Sequence, residues 1–313
     1  MTLSDRLFRF SKTIAKRVPP VGEVIEGIHL VQAGPTGECP VVLIHGASGN
    51  LRDWQTSIMP GLARDHNIIA VDRPGFGYSD ALPGHGARLD DQITAIRRAI
   101  HALGHRRYLL GGHSYGGSLV MRWVLNHPDE VAGILVLSAP VMDWGGSGVG
   151  AHYQVGGRPM TGDVLCRLVP LLAGPGYING AIKEVFHPQS PPVDYIQDGG
   201  VELALRPQTF RANAAMMLQL YPQVVEQARR YTEITCPVEI VHGDADAIVP
   251  ARIHAIPLSQ LLPHARLTQV PGVGHMPHHA APETVIQALS RLSDRANEDR
   301  ALVPLAHRKT GAA

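Results

Sequence analysis

The residues with the clearest chemical promise are Gly112-His113-Ser114-Tyr115-Gly116, a G-x-S-x-G pentapeptide between the apolar runs Tyr108-Leu109-Leu110 and Ser118-Leu119-Val120-Met121. That context reads as a strand end, a sharp turn and a helix start. Ser114 would then sit in strained backbone geometry with its hydroxyl clear of the sheet. Small residues two before and two after the serine let neighbouring chain segments come close. The Tyr115 amide would open the helix, where developing negative charge is favoured. A serine so placed is suited to nucleophilic attack on an acyl carbon, provided the rest of the chain brings a base, an acid to orient it and further oxyanion donors.

The elements that would position such a site recur along the chain. Val41-Val42-Leu43-Ile44, Ile68-Ile69-Ala70-Val71, Tyr108-Leu109-Leu110, Ile134-Leu135-Val136-Leu137, Val238-Glu239-Ile240-Val241 and Leu267-Thr268-Gln269-Val270 are short runs, mostly aliphatic, with helical segments between them. Continuous apolar runs of this length suit strands buried on both faces, hence a mainly parallel sheet covered by helices. Glu23 to Ala33 alternates more loosely and is expected to add an antiparallel edge. Ile93, Ile96, Ile100 and Leu103 mark an amphipathic helix introduced by Asp90-Asp91, and the helix after Ser114 carries Leu119, Trp123 and Val124.

The alternation breaks after Pro140. A glycine-rich stretch, helix-like pieces around residues 164–172, 181–186 and 212–220 and proline-rich joints precede the return of sheet rhythm at Val238. An insertion there reads as a helical cap over the carboxyl ends of the strands, where sites of open α/β sheets lie. The expected organisation is an N-terminal amphipathic basic helix over residues 1–20, a core from 21–140 and 236–296, a helical cap over 141–235 and a flexible tail at 297–313.

With the pentapeptide, the motifs that follow resemble the α/β-hydrolase superfamily over about residues 41–290, and a capped serine esterase-like member in particular. They are Leu43-Ile44-His45-Gly46-Ala47-Ser48-Gly49-Asn50, Asp72-Arg73-Pro74-Gly75-Phe76-Gly77-Tyr78-Ser79, Gly243-Asp244-Ala245-Asp246 and Gly274-His275-Met276-Pro277. The resemblance implies a mainly parallel eight-stranded sheet flanked by helices, and a triad in the order Ser114, Asp246, His275. It implies oxyanion donation by the backbone N–H groups of Ala47 and Tyr115. Asp246 is preferred to Asp244, which reads as a turn-capping residue, while His45, Asp72 and Arg73 read as structural. An imidazole can take and return the serine proton near neutral pH.

Haloalkane dehalogenases and epoxide hydrolases of that superfamily use an aspartate nucleophile, and residue 115 is Tyr where dehalogenases hold halide with Trp. Ester, thioester or amide hydrolysis through an acyl-enzyme is the expected activity, with carbon–carbon bond hydrolysis and cofactor-free perhydrolysis as relatives of the same triad and a ligand-binding receptor or accessory role as the non-enzymatic alternative. Trp144, Tyr153, Met160, Met216 and Leu220, together with Met217, Leu218 and Tyr221, are the candidate pocket lining for a small to medium apolar acyl or aryl group.

Composition narrows the field further. A net charge of +1 over 313 residues offers no general attraction for nucleic acid. Cys39, Cys166 and Cys236 are widely spaced without a C-x-x-C pair, which argues against a disulfide framework or zinc cluster and for a reducing, cytoplasmic home. His278 and His279 follow the candidate base, but no H-E-x-x-H motif accompanies them, so neither a metal site nor a cofactor is expected. No run approaches the roughly 20 apolar residues of a bilayer span. Leu3, Leu7, Phe10 and Ile14 fall at helical spacing in a basic segment stopped by Pro19-Pro20. Residues 1–17 are therefore expected to contact a membrane surface peripherally, pack on their own domain or join a twin subunit, leaving monomer or homodimer open.

Overall fold

The computed structural model describes residues 11–146 and 175–302, together with Gln154 and Cys166. Eight strands form one sheet in the order β1-β2-β4-β3-β5-β6-β7-β8. They are β1 (Glu23–Ile25), β2 (Ile28–Ala33), β3 (Val41–Ile44), β4 (Ile68–Val71), β5 (Tyr108–His113), β6 (Val131–Leu137), β7 (Val238–Gly243) and β8 (Arg266–Val270). β1 pairs with β2 and β2 with β4 antiparallel, while every pairing from β4 through β3, β5, β6 and β7 to β8 is parallel. The loose alternation at residues 23–33 is thus the antiparallel edge, and the aliphatic runs form the parallel part, except that Leu267 to Val270, expected to be buried on both faces, lie in β8 at the far edge and are partly exposed because no strand among the described residues covers them.

The central strands are buried along their whole length because helices cover both faces. Val42 and Ile44 of β3 join one apolar cluster, while their neighbours Val41 and Leu43 join the other, the two-residue alternation of a strand. The first cluster receives α4 (Leu89–Ala102) through Ile93, Ile96 and Ile100, and α5 (Tyr115–Asn126) through Leu119, Trp123 and Val124. The second receives Trp54 of α2 (Arg52–Gln55), Met59 and Leu62 of α3 (Met59–Leu62), and Val285, Leu289 and Leu292 of α11 (Pro282–Leu302). Each fully buried aliphatic or aromatic side chain contributes about 1.5–3 kcal/mol, so losing one face would unfold the sheet. α11 continues to Leu302, into residues 297–313 that were expected to form a flexible tail, because the helix runs on past its last buried turn.

Between β6 and β7 the described chain is helical: α6 (Pro175–Phe186), α7 (Tyr195–Asp198), a 3₁₀ turn over Val201–Leu205, and α8 (Pro207–Ala228). α8 starts on Pro207, whose missing N–H falls where no intrahelical acceptor exists. It lays Ala212, Met216, Leu220 and Val224 on the first apolar cluster. Two further short helices, α9 (Ala255–Leu261) and α10 (Pro277–Ala280), flank β8 in sequence.

Residues 11–17 form the described part of α1. Ile14 and the following Val18 are buried against Leu203 and Tyr78. Arg17 pairs with Glu202 at 2.7 Å, Arg52 Nη2 donates to Pro19 O at 2.5 Å, and the Tyr78 hydroxyl donates to Val18 O. For these residues the amphipathic face is covered by the chain itself. Among the described residues, no helix is long and apolar enough to cross a membrane.

Candidate active site

Ser114 sits where β5 turns into α5, at φ 52°, ψ −119°. A β-carbon makes that left-handed region costly, so the surroundings must enforce it. They do so by close packing: a Cβ at Gly112 would lie 2.3 Å from Gly116 O, and one at Gly116 would lie 2.2 Å from Ile44 O. Ser114 N donates to Leu137 O at 2.9 Å, tying the turn to β6. The serine is half-buried while its neighbours on both sides are buried.

His275 Nε2 lies 3.0 Å from Ser114 Oγ, and His275 Nδ1 lies 2.8 Å from Asp246 Oδ2. Residues from three strand ends, far apart in sequence, thereby form one hydrogen-bonded chain. Asp246 Oδ1 accepts the backbone N–H groups of Ile248 at 2.9 Å and Val249 at 2.8 Å, which fixes the carboxylate plane. Burial alone would raise its pKa, but hydrogen bonds from His242 and His275 and the backbone hold it well below the carboxylate range. It is an ionised acceptor, as an orienting acid must be. Asp244 does something else: its Oδ1 accepts Gly272 N–H at 2.7 Å in an exposed turn.

The backbone N–H groups of Ala47 and Tyr115, expected to receive an oxyanion, have no acceptor among the described residues. The turn bearing Ala47 is gripped from two sides. On the core side, Arg73 N–H donates to His45 Nε2 at 2.9 Å, so the proton of the neutral ring is on Nδ1, which donates to Gly46 O at 2.8 Å. Burial, with Arg73 beside it, lowers the His45 pKa to about 3, which keeps this tautomer neutral. Asp72 accepts from His29, Leu51 N–H and Tyr78 N–H at 2.6, 2.7 and 2.9 Å, so it organises its own loop. On the helical side, Ser48, at φ 56°, exchanges two hydrogen bonds with Asn213 of α8: its N–H donates to Oδ1 at 3.2 Å, and Asn213 Nδ2 donates to Ser48 Oγ at 2.8 Å. Gln189, from the same insertion, grips the loop before His275 by donating to Gly272 O at 2.7 Å and accepting Gly274 N–H at 2.9 Å. Sequence reading missed Asn213 and Gln189, since nothing local distinguishes them from other polar residues of the insertion.

A second acid–imidazole assembly lies behind the first. Asp53 accepts from His278 Nε2 at 2.9 Å, His279 Nε2 at 2.8 Å and the Tyr195 hydroxyl at 2.9 Å. These donor atoms of Asp53, His278 and His279 lie within 4.8 Å of one another, close enough for a metal ion. The sequence pointed to His278 and His279 but not to Asp53, because the carboxylate comes from α2, far away in sequence. An ion bound to His278 Nε2 would require the ring proton on Nδ1, and that atom is buried with no hydrogen-bond partner. Metal-bound imidazoles nearly always donate that second N–H. The set therefore fits a hydrogen-bonded buried carboxylate better than an ion. Burial lowers the His278 pKa, and the ring packs 4.5 Å from His113, which packs 4.9 Å from His275 and donates Nε2–H to His275 O at 2.8 Å.

Of the candidate pocket residues, Tyr153 and Met160 lie outside the described residues. Trp144 is half-buried, edge-on to Tyr221 at 4.9 Å and His254 at 5.7 Å. Met216 and Leu220 are buried in the first apolar cluster, and Met216 Sδ accepts from Arg73 Nη1 at 3.3 Å.

Comparison with known proteins agrees with this architecture. An uncharacterized protein of Mycobacterium tuberculosis is 27% identical over 266 residues, covering 81% of this chain and 75% of that protein. The 2-hydroxy-6-oxo-2,4-heptadienoate hydrolase of Pseudomonas putida is 29% identical over 125 residues, covering 39% and 44% of the two chains. The structure of a thermophilic esterase from Thermogutta terrifontis superposes with a TM-score of 0.65 at 22% identity, covering 86% of this chain and 93% of that one. The model of the alpha/beta hydrolase family matches residues 41–288, and the chain belongs to that family.

Proposed function

We propose that the protein is a serine hydrolase that cleaves a small to medium apolar ester, or a related acyl substrate, through an acyl-enzyme on Ser114. One observation carries the reading: an unbroken chain from Ser114 Oγ through His275 to the ionised Asp246, at 3.0 and 2.8 Å, on a strained turn beside two backbone N–H groups without acceptors among the described residues. His275 Nε2 takes the hydroxyl proton as Oγ bonds to the substrate carbonyl carbon. The oxyanion forms against Ala47 N–H and Tyr115 N–H, fixed donors of which each is worth roughly a hundredfold or more in rate. Collapse breaks the bond to the leaving group, which receives the proton from His275. Water then repeats the sequence on the acyl-enzyme and frees the acid. The insertion between β6 and β7 acts as the cap, holding the Ala47 turn through Asn213 and the His275 loop through Gln189. Trp144, half-buried at the start of that insertion against Tyr221 and His254, is assigned to the apolar wall.

Carbon–carbon bond hydrolysis by the same residues is the second reading, favoured by the likeness to the Pseudomonas putida hydrolase. Nitrophenyl esters of graded chain length and 2-hydroxy-6-oxo-2,4-heptadienoate, assayed side by side, separate the two. Preferred turnover of a short or medium ester supports the esterase. Turnover of the dienoate alone supports the second reading, and covalent labelling of Ser114 without turnover of either favours a ligand-binding role.

A further inference from the structure

Arg73 is fully buried directly behind the turn that carries Ala47. Its Nη2 donates to Gly46 O at 2.9 Å and its Nε donates to His45 O at 3.2 Å, so the guanidinium holds both carbonyls of the H–G turn. Its Cζ lies over the rings of Phe76 and Tyr115, 4.2 Å from each centroid. Gly46 O also accepts His45 Nδ1–H at 2.8 Å. This carbonyl belongs to the same peptide unit as the Ala47 N–H. The only cis bond among the described residues is His187-Pro188, so the unit is trans, and its N–H points opposite to its C=O.

We propose that Arg73 strengthens the oxyanion donor of Ala47 by polarising the Gly46–Ala47 peptide from its carbonyl side. This rests on the reading of Ala47 and Tyr115 as oxyanion donors. Two donors on a carbonyl, one of them cationic, draw density through the amide and make its N–H a stronger donor, and a low-dielectric interior enlarges the effect. Arginine suits the task because it keeps its charge when buried and is tolerated between aromatic faces. A neutral donor could hold the turn equally well in shape, so the charge is what distinguishes the proposal from scaffolding. Arg73 is in this sense a positioning residue that acts on the reaction through a peptide, without touching substrate.

The experiment compares the full chain with Arg73→Lys and Arg73→Gln, using nitrophenyl butyrate turnover and inhibition by a trifluoromethyl ketone with the same acyl chain, whose hemiketal oxyanion occupies the same donors. The Gln variant is expected to lose about tenfold or more in kcat with KM within about twofold, since the interaction is made in the transition state. Its ketone affinity should fall by the same factor as kcat/KM, and the Lys variant should recover most of both. Should replacing Arg73 prevent folding, Met216→Glu against Met216→Gln tests the charge alone, because residue 216 already contacts Arg73 Nη1 at 3.3 Å. The Glu variant, neutralising the guanidinium, should then be slower than the Gln variant and bind the ketone more weakly. Equal losses in Lys and Gln, equal behaviour of the two residue-216 variants, or a change in KM alone would overturn the proposal while leaving nucleophilic Ser114 intact. A wild-type protein that neither turns over the ester nor is labelled at Ser114 by a fluorophosphonate overturns both.

Discussion

Two aspartate–histidine assemblies stand close together in this protein at similar hydrogen-bond distances, and in only one does an imidazole reach a serine hydroxyl. In the first, Asp246 orients His275 at 2.8 Å and the far nitrogen of that ring reaches a half-buried serine hydroxyl at 3.0 Å. In the second, Asp53 is held by His278 at 2.9 Å and His279 at 2.8 Å, and the far nitrogen of His278 is buried without a partner. Where the second ring nitrogen points decides whether an acid–imidazole pair relays a proton or cements a core. His113 joins the two, donating to the backbone of His275 while packing on His278.

The largest effects should come from breaking the first assembly. Ser114→Ala and His275→Ala are each expected to lower kcat by about 10⁴-fold or more, and Asp246→Asn by about 10⁴-fold. Thermal unfolding of Ser114→Ala should stay near that of the wild type. A comparable loss from Asp244→Asn would reverse the assignment of the acid.

Breaking the second assembly should have the opposite profile. Asp53→Asn removes a buried ionised acceptor of three hydrogen bonds and is expected to cost about 2 kcal/mol, with Tm lowered by several degrees. Its kcat at 20 °C should stay within about threefold, measured on the same ester. Burial acts to raise the Asp53 pKa, but the two imidazoles hold it well below the ordinary carboxylate value of 3.8. Its stabilisation is therefore present above that value and lost as pH falls through the folded pKa, so the Tm gap between wild type and variant should be constant at neutral pH and close in acid.

A smaller, screened effect tests the same linkage away from both assemblies. Glu130 accepts Arg97 Nε and Nη2 at 2.6 and 2.5 Å and the Tyr108 hydroxyl at 2.7 Å, and these outweigh burial to lower its pKa from 4.5 to about 2. Glu130→Gln should lower Tm by about 2–4 °C at pH 7, a partly exposed pair being worth roughly 1 kcal/mol or less. That difference should shrink between pH 4.5 and pH 2, because the contribution is present above the unfolded pKa and lost toward the folded one. Asp244→Asn, in its exposed turn, is expected to change stability by less than about 0.5 kcal/mol and kcat hardly at all.

The contrast between the assemblies also marks what a sequence can disclose. Ser114 was legible because the signals around it are local: a strand, two glycines and a helix start within a dozen residues. The parallel centre of the sheet was legible for the same reason, the aliphatic runs of β3 to β7 stating their own burial, whereas the run of β8 did not disclose that it would be a partly exposed edge. Asp53 was not, because its meaning comes from His278 and His279, which reach it only after the sheet has brought α2 and α10 together. Nothing in the sequence marked Asn213 as the partner of Ser48, and the motif around Arg73 marked that residue as structural without disclosing its seat behind Gly46. Of the N-terminal stripe, Leu3, Leu7 and Phe10 lie outside the described residues, and what covers Ile14 and the following Val18 is set by Tyr78 and Leu203.

The central claim, that Ser114 is the nucleophile, is tested most directly by intact-mass measurement after reaction with a fluorophosphonate. The wild-type chain should gain one phosphonyl adduct, mapped to the peptide containing Ser114, with loss of ester turnover in proportion, and Ser114→Ala should gain none. An adduct retained in Ser114→Ala, or full turnover by that variant, would contradict the account.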